Sequence, residues 1–170
     1  RRTILFSATM PSDILALTEQ YQREPELVEI ASRQETVENI RQTYCEVPMG
    51  RKMDALVRLV EAEQGRLTLI FCNTKRMVDD ITAFLTRRGI PAEGLHGDMK
   101  QSQRDKVMES FRRGQVPVLA ATDVAARGID VSGVELVINY DIPQNTEYYI
   151  HRIGRTGRAG KAGRAVTLCY

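Results

Sequence analysis

From Ile40 to Tyr170 the sequence alternates short apolar runs with amphipathic stretches, and this alternation limits the fold more than any other feature. A strand is expected near Gln42 to Val47, followed by a helix from Arg51 to Glu63 with Met53, Leu56, Val57 and Val60 on one face. Leu67 to Cys72 is continuously apolar, the pattern of a strand covered on both faces. Thr74 is placed to cap a helix whose core stripe is Met77, Val78, Ile81, Phe84 and Leu85. A short strand from Ala92 to Leu95, a helix from about Ser102 to Arg113 and strands at Val116 to Ala121 and Glu135 to Tyr140 follow. A helix from about Thr146 and a last strand from Arg164 to Tyr170 complete the series. Strands and helices in strict alternation make an α/β fold, a three-layer sandwich with a mostly parallel sheet between helices. In such sheets ligands bind beyond the carboxyl ends of the strands. That edge collects Asn73, Thr74, His96 to Asp98, Thr122, Asp123 and the loop after Tyr140.

The residues before Ile40 do not fit the series. Thr3 to Phe6 reads as a short buried strand leading into Ser7-Ala8-Thr9, and Pro11 and Ser12 open a helix that Pro25 stops. A strand with no helix to cover it is expected to be the tail of an earlier domain, over residues 1–25. Residues 26–39 are polar and without clear periodicity, as in a linker. The main domain is then 40–170.

Charge is nearly balanced, 24 Lys and Arg against 22 Asp and Glu, so any binding of nucleic acid must come from local clustering. Cys45, Cys72 and Cys169 are far apart and mostly in apolar runs, which predicts reduced thiols in a cytoplasmic protein rather than disulfides or a zinc site. The two histidines are too isolated to suggest a metal site, and none is expected. No run approaches the roughly 18 apolar residues of a membrane span. Nothing in the sequence indicates an oligomeric state.

The densest chemistry lies in HRIGRTGR, His151 to Arg158. On a helix, His151, Arg155 and Arg158 fall at i, i+4 and i+7 and line one face. Two guanidinium forks so placed can neutralise and hydrogen-bond a triphosphate; the same residues could equally form a basic, solvated helix end. Gly154 and Gly157 each cost a helix interior about 1 kcal/mol, so something other than helix stability requires them. The stretch from Gly154 to Lys161 is not a phosphate-binding loop, because five residues separate Gly154 from Gly160 and Ala162 stands where Ser or Thr should follow the lysine.

Three further stretches carry weaker signals. Thr122 and Asp123, then Arg127, Gly128 and Asp130, leave an apolar strand end, where a hydroxyl and backbone amides can hold a phosphodiester and a carboxylate can accept from a ribose. The bland alternative is a strand-to-helix turn in which Asp123 caps the helix. Gln101 and Arg104 open a helix and could meet a phosphate backbone, although an exposed first turn looks the same. Ser7 and Thr9 could relay contacts between loops or simply end a strand.

Taken together and in this order, the stretches resemble the second half of a DEAD-box RNA helicase, a superfamily 2 enzyme. Ser7-Ala8-Thr9 is similar to motif III of that family, Leu69 to Lys75 to motif IV, Gln101 and Arg104 to its QxxR element, Thr122 to Asp130 to motif V, and His151 to Arg158 to motif VI. The resemblance implies a C-terminal RecA-like domain that closes over ATP and magnesium held mainly by an N-terminal RecA-like partner domain. By that similarity Arg155 and Arg158 are arginine fingers on the γ-phosphate, and Asp130 and Arg127 also serve ATP, Arg127 bridging the ATP and RNA sides. His151 would couple its helix to motif III at Ser7 and Thr9. Thr74, Gly97, Gln101, Arg104, Thr122 and Asp123 would lie along the RNA backbone. Binding would then be largely independent of sequence, with 2′-hydroxyls separating RNA from DNA, and closure would pry a short duplex apart.

The sequence contains neither GxxxxGK[ST] nor Asp-Glu-Ala-Asp. The groups that grip the β and γ phosphates and bind magnesium are therefore expected outside it, and these 170 residues alone are expected to hydrolyse no ATP. Two other functions stay compatible with the same residues: a superfamily 2 DNA helicase domain, and a non-catalytic RNA-binding module in which the arginines are only a basic patch.

Overall fold

The computed structural model describes residues 3–7, 10, 12–28, 39–126, 133–158 and 160–170. They divide into two compact units, Arg1–Arg33 and Gln34–Tyr170. In the first unit, helix α1 (Ser12–Tyr21) buries Thr18, whose hydroxyl donates to the Leu15 carbonyl at 2.6 Å. The expected strand at Thr3 to Phe6 does not form. Residues 3–7 are irregular and exposed, Ile4 at 74% and Phe6 at 91%. An apolar run becomes a strand only when a neighbour completes its hydrogen bonds and covers its face, and no described strand does so for this one. Ser7 is exposed, and Thr9 lies outside the described residues.

The second unit follows the expected alternation. Strand β1 (Ile40–Glu46), helix α2 (Lys52–Ala62), strand β2 (Thr68–Cys72) and helix α3 (Lys75–Arg87) come first. Then come β3 (Ala92–Leu95), α4 (Gln101–Arg112), β4 (Val118–Thr122), the single turn α5 (Asp123–Ala126), β5 (Leu136–Asn139), α6 (Thr146–Ile153) and β6 (Gly163–Cys169). The strands form one sheet in the order β1-β6-β5-β2-β4-β3, and every described pairing is parallel. The apolar strands β2, β4 and β5 occupy its middle, where both faces are covered.

Successive side chains of the sheet feed two cores. On one face Leu69, Phe71, Leu119, Ala121 and Val137 pack with Val107 and Phe111 of α4 and Ile153 of α6. On the other, Ile70, Cys72, Ala120, Leu136 and Ile138 pack with Leu56, Val57 and Val60 of α2 and Val78, Ile81 and Leu85 of α3. The helix boundaries have local causes. Thr74 Oγ1 accepts from the Met77 amide at 3.2 Å and Asn145 Oδ1 from the Tyr148 amide at 2.9 Å, each satisfying an orphan donor of the first turn.

The chain runs from β2 outward to β3, returns to β4, and then crosses β2 to reach β5 and β6. That reversal opens the crevice where α/β sheets hold ligands. Cys72 pairs with Thr122 and Phe71 with Asn139, so the segments beginning at Asn73, Asp123 and Tyr140 emerge side by side.

One expectation about this unit is corrected. The stretch His151 to Arg158 is not a continuous helix: α6 ends at Ile153, Gly154 is its C-cap, and Gly157 has φ +68°. A β-carbon on Gly157 would lie 2.7 Å from Ile40 Cγ1, and one on Gly163 would lie 2.5 Å from the Gly157 nitrogen. The motif must turn sharply and pass close to β1 to deliver β6 between β1 and β5, and this is why helix-breaking residues stand in it.

Candidate nucleotide and nucleic-acid face at the carboxyl edge of the sheet

Helix α6 delivers its side chains to the crevice in two layers. Tyr149, Arg152, Ile153 and Thr156 repeat at i, i+3, i+4 and i+7 and face inward; Ile153 packs in the core, and the buried Thr156 hydroxyl donates to the Val134 carbonyl at 2.7 Å. The opposite layer is exposed His151 and half-buried Arg155. Phe71, Asp123, Ala126, Tyr148, His151, Arg152 and Arg155 line one shallow cleft at this edge.

Arg155 Nε donates to the His151 carbonyl at 3.3 Å and Arg158 Nε to the Gly154 carbonyl at 2.9 Å. Each fork is thus tethered at its root to the backbone four residues earlier, although the chain between them is a turn and not a helix. Preorganised forks lose less freedom when they close on an anion.

The residue that sequence reasoning missed is Arg152. It is 1% exposed, and all its nitrogens are engaged. Nε and Nη2 donate to the two oxygens of Asp123 at 2.7 Å each, Nη1 to the Asp141 carbonyl at 2.6 Å, and Nη2 also to Asn73 Oδ1 at 2.8 Å. The guanidinium lies 5.3 Å from the centre of the Phe71 ring. One side chain therefore bonds to the segments that leave β4, β5 and β2. Such a fork–fork pair is charge-assisted and specific to arginine. Removing one partner of a buried ion pair strands the other charge and costs about 3–5 kcal/mol. The signal was present in the inward stripe of α6, where Arg152 falls between Tyr149 and Thr156; a charge on an inward stripe calls for a buried counter-ion.

The other predicted residues are brought to the same edge with different surroundings. Thr74 caps α3, and Thr122 ends β4 half-buried. Asp123 is committed through both oxygens to Arg152, which makes its carboxylate an internal partner and leaves its backbone as the group that could meet a phosphate. Gly97 is exposed, and a β-carbon there would meet nothing within 4 Å, so packing does not require it. Arg104 Nη2 donates to the Ala125 carbonyl at 3.2 Å, linking α4 to α5, and Gln101 donates to Asp105 at 2.7 Å. Arg127 and Asp130 lie outside the described residues.

Cys72 and Asp98 are among the groups near the edge with displaced titrations. Burial pushes the Cys72 thiol far up, with the Asp141 charge adding to it, so it stays protonated and is no nucleophile. A hydrogen bond from Lys75 holds the Asp98 carboxyl below its usual range. All three cysteines are free. Among the described residues no group of three or more His, Cys, Asp or Glu could hold a metal ion, and no helix is long and apolar enough to cross a membrane.

With this geometry in view, the chain's relatives decide its family. Residues 51–160 match the helicase conserved C-terminal domain. The chain is 51% identical over 167 residues to the DEAD-box ATP-dependent RNA helicase CshA of Geobacillus kaustophilus, covering 98% of the chain and 36% of the relative. It belongs to the DEAD-box family. The CshA protein of Bacillus subtilis is 49% identical over 166 residues, covering 98% of the chain and 34% of that relative. The chain thus spans about a third of the length of these curated family members. Saccharomyces cerevisiae Dbp5 bound to RNA and ADP BeF3 superposes with a TM-score of 0.80 at 32% identity, over 97% of the chain and 44% of Dbp5. A DEAD box protein from Methanococcus jannaschii gives 0.73 at 43% identity, over 96% of the chain and 44% of that protein. The six-stranded sheet between two helical layers is the C-terminal RecA-like domain of this family.

Proposed function

We propose that the second unit is the closing half of an ATP-dependent RNA helicase, and that residues 1–25 belong to the end of its N-terminal RecA-like domain with 26–39 as the linker. The observation that carries the proposal is that one cleft at the carboxyl edge is lined by His151 and Arg155 together with the Arg152–Asp123 pair. Guanidinium groups tethered through Nε suit the phosphates of ATP, whereas the described residues offer no carboxylate cluster for magnesium. The metal would be held mainly by the N-terminal domain.

ATP supplies the free energy that closes and reopens the two domains. Arg155 and Arg158 direct N–H donors at charge that grows on the γ-phosphate oxygens during transfer, where an arginine finger contributes roughly 10³ to 10⁵ in rate. His151 sits on the exposed side of α6 and couples that helix to Ser7 and Thr9 of the N-terminal domain; Asp130 and Arg127 complete the nucleotide contacts. Thr74, Gly97, Gln101, Arg104, Thr122 and the Asp123 backbone line the RNA path and read its phosphates and 2′-hydroxyls rather than its bases. The chain alone turns over no ATP, and its three free thiols fit a reducing cytoplasm.

The test is ATP turnover by the parent protein carrying both domains, with and without RNA, for wild type and Arg158→Ala at fixed salt. RNA should stimulate the wild type, and the substitution should abolish turnover while RNA binding without nucleotide survives. Unchanged turnover would reduce the motif to a basic patch. Equal stimulation by DNA of the same sequence would move the substrate from RNA to nucleic acid in general.

A further inference from the structure

We infer that Arg152 is a positioning residue that couples the phosphate-facing side of α6 to the RNA-facing strand ends, so that the two faces respond to their ligands as one body. The inference rests on the helicase function proposed above. Its basis is adjacency combined with bonding. Arg152 follows His151 and lies three residues before Arg155; its partners Asn73 and Asp123 directly precede Thr74 and directly follow Thr122. The two guanidinium edges thus reach one strand end each from β2 and β4, and Nη1 reaches a third after β5. Asn73 closes the circuit, its amide N–H donating to Asp141 Oδ2 at 2.9 Å and its Nδ2 to the Ile142 carbonyl at 3.2 Å.

A role in stability alone would not require this arrangement. Well-packed apolar side chains often replace a buried ion pair without loss, and the Phe71 ring already lies 5.3 Å from the guanidinium. What an apolar residue cannot do is fix the relative placement of three loops through directional bonds. A shift of α6 when Arg155 closes on phosphate must move Asn73, Asp123 and the Asp141 carbonyl with it or break the charge-assisted bonds of a guanidinium that is itself buried. Lysine keeps the charge but has no fork, so it cannot hold Asp123 through two oxygens while also bonding Asn73 and Asp141.

The experiment measures coupling in the parent protein carrying both domains. The readout is the factor by which a non-hydrolysable ATP analogue tightens binding of a labelled single-stranded oligouridylate. In the wild type this factor should lie in the roughly 5- to 150-fold range of allosteric coupling. Arg152→Lys should bring it close to one, while RNA affinity without nucleotide and analogue affinity without RNA change little. Asn73→Ala leaves the Asp123 pair intact and should give an intermediate factor; it decides the matter if Arg152→Lys does not fold. Leu85→Ala truncates the core on the opposite face of the sheet and should keep the wild-type factor. A wild-type factor in Asn73→Ala and in folded Arg152→Lys overturns the inference. So does an equal loss in Leu85→Ala, because stability would then explain it. If instead the wild type shows neither coupling nor RNA-stimulated turnover, the proposed function itself fails, and the inference with it.

Discussion

Gly157 offers the sharpest test of how the turn between the two candidate arginine fingers is held. Its φ is +68°, and a β-carbon would sit 2.7 Å from Ile40 Cγ1 and 3.4 Å from Ile40 Cδ1. Ile40 cannot step aside, since it is buried at the first position of β1 and is β-branched, stiff at χ1. Gly114 has nearly the same backbone, φ +67°, with nothing within 4 Å of the corresponding position. Alanine in the left-handed region costs about 1–2 kcal/mol at either site, and the lower entropy of the unfolded alanine chain offsets both equally. The overlap with Ile40 adds about 1–3 kcal/mol at Gly157 alone. Urea unfolding of the 170-residue chain, followed by far-ultraviolet circular dichroism, should therefore give Gly157→Ala a lower midpoint than Gly114→Ala, with the same slope. Losses equal to within about 0.5 kcal/mol would refute the overlap, since independent sites agree no better than that. Because Gly157 stands between Arg155 and Arg158, the overlap would also disturb the turn that presents both forks.

Two further outcomes follow from local chemistry. Asn145→Ala removes the side-chain cap of α6 and should cost about 1 kcal/mol, with faster hydrogen exchange at the Tyr148 amide as its local signature. Alkali should destabilise the second unit through two buried acids. Burial pushes Tyr140 up to about 12, with the Asp141 charge adding to it, and it pushes the Cys72 thiol up as well. Both folded values lie above the unfolded ones of about 10 and 8.5, so the stability they contribute is fully present below the unfolded values and is lost as pH rises toward the folded ones. The Tyr140→Phe, Cys72→Val double variant should retain more of its neutral-pH urea midpoint at about pH 11 than the wild type does; an identical alkaline loss in both would show that other groups govern it.

The parts of the fold legible in the sequence are those that follow from burial of a repeating pattern. β2, β4 and β5 are apolar at every fully buried position except Thr68 and Asn139, and Val78, Ile81 and Leu85 mark α3 with equal clarity. The run at Thr3 to Phe6 misleads because strand formation depends on a partner as much as on the run itself. HRIGRTGR misleads in another way. Its i, i+4, i+7 spacing is a helix-surface pattern, but Gly154 and Gly157 end the helix midway, and the inward stripe of Tyr149, Arg152, Ile153 and Thr156 is what fixes its placement. A periodicity argument attends to charges on the outer face; the charge at Arg152 sits on the inner one, and its counter-ion is 29 residues away in sequence.

That displacement of charge explains how the ends of β4 and β5, each followed by a carboxylate, can serve anions. Asp123 and Asp141 both stand at the carboxyl ends of the central strands, where they would repel phosphate. Asp123 is turned inward, both oxygens accepting from Arg152, and Asp141 accepts from the Asn73 amide through Oδ2. Each carboxylate is thus met by donors from inside the domain, and the cleft beside them is also lined by His151 and Arg155. A neutral residue at position 152 would do more than loosen three loops. It would release the Asp123 charge beneath the very cleft that must accept phosphate, and at close range in a partly buried site that repulsion is only weakly screened. Positioning and charge compensation are therefore two consequences of one buried fork, and the Asn73→Ala variant separates them because it removes two hydrogen bonds, to Arg152 and to the Ile142 carbonyl, while leaving the charge balance untouched.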